Sequence, residues 1–513
     1  MIGDPATPEA VPIVSHARLV DARALDDGAT LEAGTCVIGA GPAGLTVAGE
    51  LGASGEDVLV VDSGGPAHEP ELDELNAGTT HGDNYADLRW SRRRRVGGAA
   101  WAWNTYAGNI CGARYLPLDP IDLEPRPWSP DGWPIAHEEL LPWWRRAHSR
   151  CLLAPLETAY AHGAIEPVFA ADPLEPGAYA FGPATAFTHG ARHVLSAARL
   201  AEYATVTRLE LDAAGEHVTG AAWAAPGGRH GRIVARRFVL ALGAIENARL
   251  LLASAATPDR APGNRHGLVG RGFMEHPRDR TLRLVLPSSA PRERLAFHSL
   301  RGGGGVRWGR LGLSPALLRA QALPNASVSL AAETEAAPHG TFAALQRALF
   351  RRGPRVASMA IEITVEQAPD DANRVTLGAE RDGFGMPRVA LEWRLGDADR
   401  ERIARVRDVV ATTLARTSHG HIERHREPLV DPNAHHHAGT TRMHDDPARG
   451  VVDANGRVHG MANLWVTGGS VFPTCGHANP TLTIVALALR LGTHLAAGRA
   501  PAVTHAAPAP PRG

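Results

Sequence analysis

The feature that most restricts the fold of this chain is a glycine-rich turn at residues 39–44, Gly-Ala-Gly-Pro-Ala-Gly. Residues 35–38 before it predict a short buried strand, and the Ala- and Leu-rich residues 43–53 predict a helix. A second apolar run, residues 58–61, ends at Asp62. A strand, a tight turn, a helix and a second strand within about thirty residues indicate a βαβ unit.

The turn predicts a dinucleotide site at the start of this helix. Gly39 permits the tight turn, Gly41 lets the backbone approach a pyrophosphate, and Gly44 allows close packing of the helix. The start of the helix supplies free N–H donors and a positive dipole end, and Asp62 stands where an acidic side chain binds ribose hydroxyls. The motif alone does not separate FAD from NAD. Its place near the start of the chain, with further nucleotide-domain segments far downstream, favours FAD.

The composition excludes several classes of chemistry. All 53 basic residues are arginine, so no lysine is present for Schiff-base, pyridoxal-phosphate or P-loop chemistry. A formal net charge of −1 provides no general field for nucleic acid, and no apolar run is long enough to span a membrane. The four cysteines form no CxxC pair, which favours a reducing compartment. We therefore expect a cytoplasmic protein with neither nucleic acid nor membrane as partner.

The later segments predict a discontinuous organisation. Residues 237–254 and 464–497 again show a strand followed by a helix, whereas residues 355–367 and 389–393 are typical of an antiparallel sheet. The predicted fold class is α/β with α+β: a Rossmann-like FAD-binding domain with an inserted antiparallel-sheet substrate-binding domain. The predicted segments are 30–115, 190–285 and 430–500 for the FAD-binding domain, 116–189 and 286–429 for the substrate-binding domain, and 501–513 for a disordered tail.

The densest motif region lies between His435 and Leu495. Together with the glycine-rich turn, it resembles the glucose-methanol-choline (GMC) family of flavin oxidoreductases. The resemblance extends over most of the chain, through VGGAAWAWN at 96–104, DGWPI at 131–135, VLALGAIENARLLLAS at 239–254, VGRGFMEHP at 269–277 and NRVTL at 373–377. It implies an FAD domain, a substrate-binding sheet domain and oxidation of an alcohol.

The resemblance also implies a pair of residues facing the flavin. The family segment HxxGTxRM places its histidine at His436, counted back from Met443, with Asn479 of GHANPT as its partner. The adjacent His437 is the alternative for the base. A hydride leaves an alcohol carbon only as the hydroxyl loses its proton, and a neutral histidine suits that role near pH 7. Asn479, which precedes Pro480 and an apolar helix, is also a good N-cap.

The remaining cofactor contacts follow from the family segments. The segment with Gly97 and Gly98 resembles the one that passes over the flavin ring, and Ala102 stands before Trp103 where several pyranose oxidases carry a histidine bonded to FAD. We therefore predict noncovalent FAD. Of the arginine run 92–95, interpreted mainly as a solvated face, only Arg95 is kept as a candidate. The full predicted set is Gly39, Gly41, Gly44, Asp62, Arg95, Gly97, Gly98, Trp103, Asn104, Val206, Ala241, Gly469, Pro480 and Thr481.

Three consecutive histidines at 435–437, with His421 and His425 four residues apart, raise the question of a metal. The segment HIERH is not the HExxH zinc motif, and adjacent residues rarely share one metal geometry. We therefore predict no metal site. His276 is expected to be structural or to support the site from behind, and His477 either lines the pocket or faces solvent.

Within the family, the segments HxxGTTRM and ANPTLT are most similar to the pyranose oxidase and sugar dehydrogenase branch. This implies oxidation of a sugar or glycoside at C2 or C3 of a pyranose to a ketone, with hydride transfer to flavin N5. Oxygen, a quinone or a separate electron carrier would accept the electrons. The alternatives are a non-sugar alcohol such as choline or an aryl alcohol, a nicotinamide-dependent dehydrogenase, and an inactive FAD-binding protein.

Overall fold

A computed structural model of the chain describes residues 18–160, 171–189, 196–291, 300–302, 305–334, 355–417, 420–425, 430–431 and 434–498. The predicted tail 501–513 lies outside these residues. The α-helices within them are Pro42–Ala53, Pro70–Asp73, Pro120–Leu123, His137–Arg150, Leu156–Ala159, Thr185–Thr188, Gly243–Ala253, Pro315–Gln321, Asp397–Arg416 and Thr481–Ala497. Short 3-10 turns occur at Ala22–Ala24, Glu74–Asn76, Gly98–Ala102, Pro258–Arg260 and Gly469–Val471.

The glycine-rich turn belongs to an eight-stranded sheet that is largely parallel. Its spatial order is Leu19–Asp21, Arg199–Glu202, Val58–Val61, Ala29–Ile38, Arg229–Leu240, Val218–Ala225 and Thr205–Leu211, and the short strand Leu464–Val466 also pairs with Arg229–Leu240. The first five strands and Leu464–Val466 run parallel, whereas the last two strands are antiparallel. The predicted βαβ unit is present, and its first strand begins earlier than predicted, at Ala29.

The interior strands of this sheet are apolar because both of their faces are covered. All four residues of Val58–Val61 are buried, as are the last five of Ala29–Ile38. The helix Pro42–Ala53 packs against the long carboxy-terminal helix Thr481–Ala497. At Gly492 a Cβ atom would lie 2.6 Å from Cβ of Glu50, so the absence of a side chain lets these two helices approach closely.

The second sheet has ten strands, and every pairing in it is antiparallel. Its order is His421–Arg424, Arg278–Pro291, Arg355–Val365, Ala326–Thr334, Gly305–Leu313, Leu174–Pro183, Ile110–Tyr115 and Thr105–Ala107; Val430–Asp431 pairs with the second strand and Leu300–Gly302 with the fifth. The predicted fold class, a Rossmann-like domain joined to an antiparallel-sheet domain, is confirmed.

The chain crosses between the two sheets more often than the predicted segments allow. Strands Thr105–Ala107 and Ile110–Tyr115 belong to the antiparallel sheet although they precede the predicted boundary at 115, and the strand Arg278–Pro291 crosses the boundary at 285. A third sheet of three strands, Arg374–Arg381, Pro387–Trp393 and Gly78–Gly82, joins an early segment to a late one. Of the two segments predicted as antiparallel, 355–367 lies in the ten-stranded sheet and 389–393 in this small one.

Among the helices of the described residues, none combines the length and the apolar character needed to cross a lipid bilayer.

Candidate active site

A large cavity lies between the parallel and the antiparallel sheets. Its volume is about 570 Å³, and both sheets contribute to its walls. From the first sheet come the glycine-rich turn and Asp62, and from the second come alternate residues such as Arg278, Arg280 and Thr364. Residues 434–437 and 477–481 complete the wall between them. A cavity at the carboxyl ends of parallel strands is the usual place for a ligand in this type of sheet.

The glycine-rich turn has the shape of a dinucleotide cradle. A Cβ atom at Gly39 would lie 2.6 Å from the Ala241 carbonyl oxygen, and one at Gly44 would lie 1.8 Å from the Gly39 carbonyl oxygen. At Gly41, which lines the cavity, a Cβ atom would approach nothing nearer than Gly98 Cα at 4.0 Å. A side chain at position 41 would therefore enter the space that a pyrophosphate needs. The helix Pro42–Ala53 begins without a side-chain cap, so its first N–H groups are available to such a ligand.

Asp62 ties the turn to the following strand. Its carboxylate accepts hydrogen bonds from the backbone N–H of Ala40 at 2.7 Å and of Gly64 at 2.9 Å. Burial raises the pKa of Asp62, while these two N–H donors and Arg94 act in the opposite direction. Asp62 lines the cavity, where its carboxylate retains lone pairs for ribose hydroxyls.

The interpretation of the arginine run as a solvated face was wrong for two of its members. Arg92 and Arg94 are largely buried, line the cavity and form ion pairs with Glu246, at 2.8 Å for Arg94. Burial acts to raise the pKa of Glu246, but Arg249, Arg94 and Arg92 overcome it and hold that pKa below its usual range. Arg95, the one candidate retained from sequence, instead stacks on Trp101, 3.3 Å from the ring centroid.

The segment from Gly97 to Asn104 folds over the glycine-rich turn. The Gly97 N–H donates to the Ala40 carbonyl at 2.8 Å, and a Cβ atom at Gly98 would lie 3.0 Å from Gly41 Cα. Both glycines have positive φ, 99° and 53°, which allows the chain to turn this sharply. Trp103 and Asn104 then line the cavity.

His436 lies at the centre of a chain of hydrogen bonds. Its Nε2 atom is 3.0 Å from Asn479 Nδ2, and its Nδ1 atom is 2.8 Å from His276 Nδ1. His276 Nε2 in turn lies 3.3 Å from the Cys475 carbonyl oxygen. An amide nitrogen only donates, so His436 Nε2 is the acceptor and its ring proton is on Nδ1. This orders the whole chain: Asn479 donates to His436, His436 donates to His276, and His276 donates to Cys475.

The same arrangement keeps His436 neutral. Burial lowers its pKa well below the usual value, and the positive charge of Arg278 and the neighbouring imidazoles add to the effect. Burial likewise lowers the pKa of His276 to about 3. A neutral imidazole with an unprotonated Nε2 is the form that takes a proton, and the Nε2 lone pair of His436 accepts from Asn479 in this structure. Asn479 does not cap the following helix, since Pro480 occupies the cap position and its helix has no side-chain cap.

Behind the histidines, Glu275 holds the segment in place. Its carboxylate accepts from the Tyr85 hydroxyl at 2.5 Å and from the backbone N–H groups of His436 at 3.0 Å and His276 at 3.2 Å. His437 Nε2 lies 3.3 Å from the same carboxylate. Burial raises the pKa of Glu275 to about 7, with the three donors acting against it. His437 is thus directed at Glu275, whereas His436 is directed at Asn479, which supports His436 as the base.

Among the described residues, one group has the composition of a metal site. Ligand atoms of Glu275, His435 and His437 all lie within 4.8 Å of one another. One Glu275 oxygen already accepts from Tyr85, and the other accepts two backbone N–H groups. The absence of a metal stays a prediction.

Most of the residues predicted from sequence meet at this cavity. Those that line it are Gly39, Gly41, Asp62, Gly98, Trp103, Asn104, Ala241, His436, Gly469, Asn479, Pro480 and Thr481. Four do not line it: Gly44, Gly97, Arg95 and Val206. Gly44 and Gly97 act through packing and a backbone hydrogen bond, while Val206 faces a separate, much smaller cavity.

Sequence reasoning did not identify Glu275, Tyr85, Arg278, Arg92 or Arg94 as parts of the site. The segment VGRGFMEHP had marked the neighbourhood of the first and third of these residues. His477, left open between pocket and solvent, is buried and lines the cavity.

Comparison with known proteins agrees with this geometry. Residues 369–488 match the sequence family described as GMC oxidoreductase. Paromamine 6'-oxidase from Streptomyces fradiae is 32% identical over 268 residues, which are 50% of this chain and 45% of that protein. C-glycoside 3-oxidase from Arthrobacter globiformis is 35% identical over 112 residues, 21% of either chain. The matched region thus spans less than half the length of both relatives.

The fold as a whole is also found among solved structures. Pyridoxine 4-oxidase from Mesorbium loti superposes with a TM-score of 0.59, covering 91% of this chain and 100% of that one, at 15% sequence identity. At this identity the likeness establishes the fold alone. Residues 369–488 thus match the GMC oxidoreductase family, and the chain as a whole has the fold of a solved oxidase structure.

Proposed function

We propose that this protein is an FAD-dependent alcohol oxidoreductase that oxidises a secondary hydroxyl of a sugar or glycoside, at C2 or C3 of a pyranose, to a ketone. The observation that carries the proposal is the position of His436. Its Nε2 atom lies in the wall of a cavity that the dinucleotide cradle also lines. A base and a redox cofactor facing the same space are what alcohol oxidation by hydride transfer requires.

FAD fits the residues of this cavity. The Gly39–Gly44 turn and the uncapped helix start suit a pyrophosphate, and Asp62 suits a ribose. When bound, FAD supplies the two-electron acceptor that takes the hydride from the alcohol carbon. The residue before Trp103 is Ala102, which has no group able to bond a flavin. The cofactor is therefore held without a covalent link at this position.

His436 and Asn479 prepare the alcohol for this transfer. The substrate hydroxyl replaces the direct Asn479–His436 hydrogen bond, donating its proton to His436 Nε2 while Asn479 Nδ2 donates to the alcohol oxygen. As the proton moves to His436, the Asn479 N–H stabilises the negative charge that develops on that oxygen. His276 accepts the remaining ring proton of His436 in a hydrogen bond and so holds the ring in its acceptor orientation.

The sugar assignment rests on two lines of support. The motifs HxxGTTRM and ANPTLT are most similar to the pyranose oxidase and sugar dehydrogenase branch. The relatives with curated names include a paromamine 6'-oxidase, a C-glycoside 3-oxidase and a pyranose 2-oxidase. Turnover also needs an acceptor for two electrons, which is oxygen, a quinone or a separate electron carrier.

An anaerobic titration tests the proposal. Purified protein is scanned near 450 nm, and methyl glucoside, free hexoses, choline and simple alcohols are added in turn. We expect a flavin spectrum that bleaches with sugars or glycosides, and product analysis is expected to find a 2- or 3-keto sugar.

Other outcomes would reject specific parts of the proposal. A protein without flavin absorbance would support a nicotinamide-dependent enzyme, and a flavin that no alcohol bleaches would indicate an inactive binding protein. Bleaching by choline or aryl alcohols alone would reject the sugar assignment. Release of the flavin on denaturation without proteolysis is the expected sign of noncovalent binding. Reoxidation by oxygen, a soluble quinone or neither then identifies the class of acceptor.

A further inference from the structure

Two guanidinium groups of the cavity wall have no ionic partner among the described residues. Arg278 begins the strand Arg278–Pro291 and is partly buried, and no described side chain or carbonyl accepts a hydrogen bond from it. Arg114 lies in the strand Ile110–Tyr115 of the same sheet; its guanidinium lies 5.8 Å from the centroid of the Tyr179 ring, and its Nε atom is buried without a hydrogen-bond partner. A buried charge without a partner is unfavourable, so such groups usually have a ligand.

The acidic side chains around Arg278 are held by other groups. The charge of Arg278 acts against burial on the pKa of Glu275, but the Glu275 oxygens already accept from the Tyr85 hydroxyl and from two backbone N–H groups. Glu362 and Asp431 both pair with Arg280, at 2.6 and 3.1 Å. Glu246, which also lines the cavity, is held by the buried arginines described above. The charge of Arg278 is therefore left for something that enters the cavity.

Arg278 lies at the reacting end of the cavity. It follows His276 by two residues, and its charge is among the causes, after burial, that lower the pKa of His276, His435 and His436. The pyrophosphate cradle, by contrast, is built from the parallel sheet around Gly39. An anion at Arg278 is thus expected to belong to the substrate rather than to the cofactor.

The alternation of side chains along the strand explains why Arg278 faces the cavity. Arg278 and Arg280 alternate with Asp279, and across the sheet Arg278 is in register with Thr364, which also lines the cavity. Asp279 projects from the other face, where it pairs with Arg407 of the helix Asp397–Arg416 at 3.1 Å.

We propose that Arg278 binds a carboxylate or phosphate group carried by the sugar substrate, so that the enzyme selects sugar acids or sugar phosphates over neutral and amino sugars. The inference rests on the proposed function and adds the charge class of its substrate. A guanidinium presents parallel N–H donors that match two oxygens of either anion. Arg114 adds a second positive charge to the same cavity.

A comparison of four probes, each added separately to the flavin-loaded protein, tests the inference. These are methyl glucuronide, glucose 6-phosphate, methyl glucoside and glucosamine, each used in anaerobic reduction of the flavin. We expect kcat/KM to be highest for one of the two anionic probes, and which of them it is identifies the anion. Equal or better reduction by methyl glucoside or glucosamine would overturn the inference and leave the proposed function standing. Reduction by none of the four would count against the proposed function itself.

Variants then assign the selectivity to one residue. In Arg278→Met the ratio of kcat/KM for the anionic probe over methyl glucoside should fall by about 10- to 100-fold, the loss typical of a charge-assisted hydrogen bond. Arg278→Lys should keep part of the ratio, and Arg278→Glu should shift the preference toward glucosamine.

The matched control is Arg283→Met, which removes the same charge from the same strand outside the cavity, where Arg283 pairs with Glu333 at 2.8 Å. Its ratio should equal that of the wild type. An equal loss of rate for all probes in Arg278→Met would mean that Arg278 acts on the base or the flavin, and it would overturn the inference. Retention of the flavin spectrum in every variant verifies that the comparison is made between folded proteins.

Discussion

The Nδ1 atoms of His276 and His436 lie 2.8 Å apart. Two imidazole nitrogens at this distance share one proton, and the outer partners of the two rings decide which ring carries it. Asn479 donates to the far nitrogen of His436, and the Cys475 carbonyl accepts from the far nitrogen of His276. The shared proton is therefore on His436, whose Nε2 lone pair accepts from Asn479 in the wall of the cavity.

Replacement of the base should abolish fast chemistry without loss of the cofactor. In His436→Ala we expect bound FAD and a rate of flavin reduction lower by roughly 10²- to 10⁴-fold, the usual contribution of a positioned acid–base group. Stopped-flow measurement at 450 nm gives the rate. His421→Ala, which removes an exposed imidazole paired with Glu423, is the control and should keep the wild-type rate. Full activity in His436→Ala would transfer the role of base to another group.

Position 276 should tolerate only a side chain that accepts a hydrogen bond. In His276→Leu the Nδ1–H of His436 loses its acceptor, which costs about 1–3 kcal/mol for a buried donor and allows the ring to turn or change tautomer. We expect kcat to fall by roughly 5- to 150-fold, with a displaced pH profile, and His276→Gln to recover much of the loss through its carbonyl oxygen. Equal rates and equal pH profiles in the two variants would show that His276 only fills space.

The sequence predicted correctly those features of the fold and the site that depend on residues close together in the chain. The βαβ unit follows from apolar strands buried on both faces and from glycines whose Cβ atoms would collide with the backbone. His436 and Asn479 were found by counting within short motifs, and they are in contact. In contrast, Tyr85 and Glu275 are 190 residues apart, and Arg92 and Glu246 are 154 apart. No periodicity or local motif records such pairs, because each exists only once the two sheets are assembled.

The lack of any local record of long-range pairs also explains why the arginine run was misinterpreted and why the predicted domain boundaries were misplaced. A run of four arginines has the composition of a solvated surface, and the distant Glu246, together with acceptors on Asn76, makes it favourable to bury two of them. The strand Ile110–Tyr115 follows the segment Gly97–Asn104 without a break in pattern, so nothing local indicates that it joins the other sheet.

Glu275 should make stability depend on pH near neutrality. Its pKa in the folded protein is raised from 4.5 to about 7, chiefly by burial. Between these values the folded state keeps a proton that the unfolded state has lost. The free energy of unfolding therefore falls as pH rises, by up to about 1.4 kcal/mol per pH unit from this group, and levels off above the folded pKa.

The variant Glu275→Gln isolates this contribution, because the amide does not titrate. Thermal unfolding of both proteins between pH 5 and 8 should show the wild type losing stability relative to the variant as pH rises from 5 to about 7, with little further change above. Glu401→Gln, an exposed position in the helix Asp397–Arg416, should follow the wild type throughout. A constant difference between wild type and Glu275→Gln would mean that Glu275 does not titrate in this range.

A single methyl group added at Gly41 should weaken FAD binding without lowering the stability of the apoprotein. Its φ of −80° is open to any residue, and a Cβ atom there would project into the cradle without striking the protein. Gly41→Ala should therefore keep the unfolding temperature of the apoprotein but raise the Kd for FAD by roughly 10- to 100-fold, the equivalent of about one lost hydrogen bond to the pyrophosphate.

Gly49→Ala is the matched control, since Gly49 lies on the same helix with open space around its Cβ position. It should leave FAD affinity unchanged and, if anything, stabilise the helix by up to about 1 kcal/mol. Fluorescence titration of the apoproteins with FAD provides both Kd values, and equal values for the two variants would show that the pyrophosphate does not lie against Gly41.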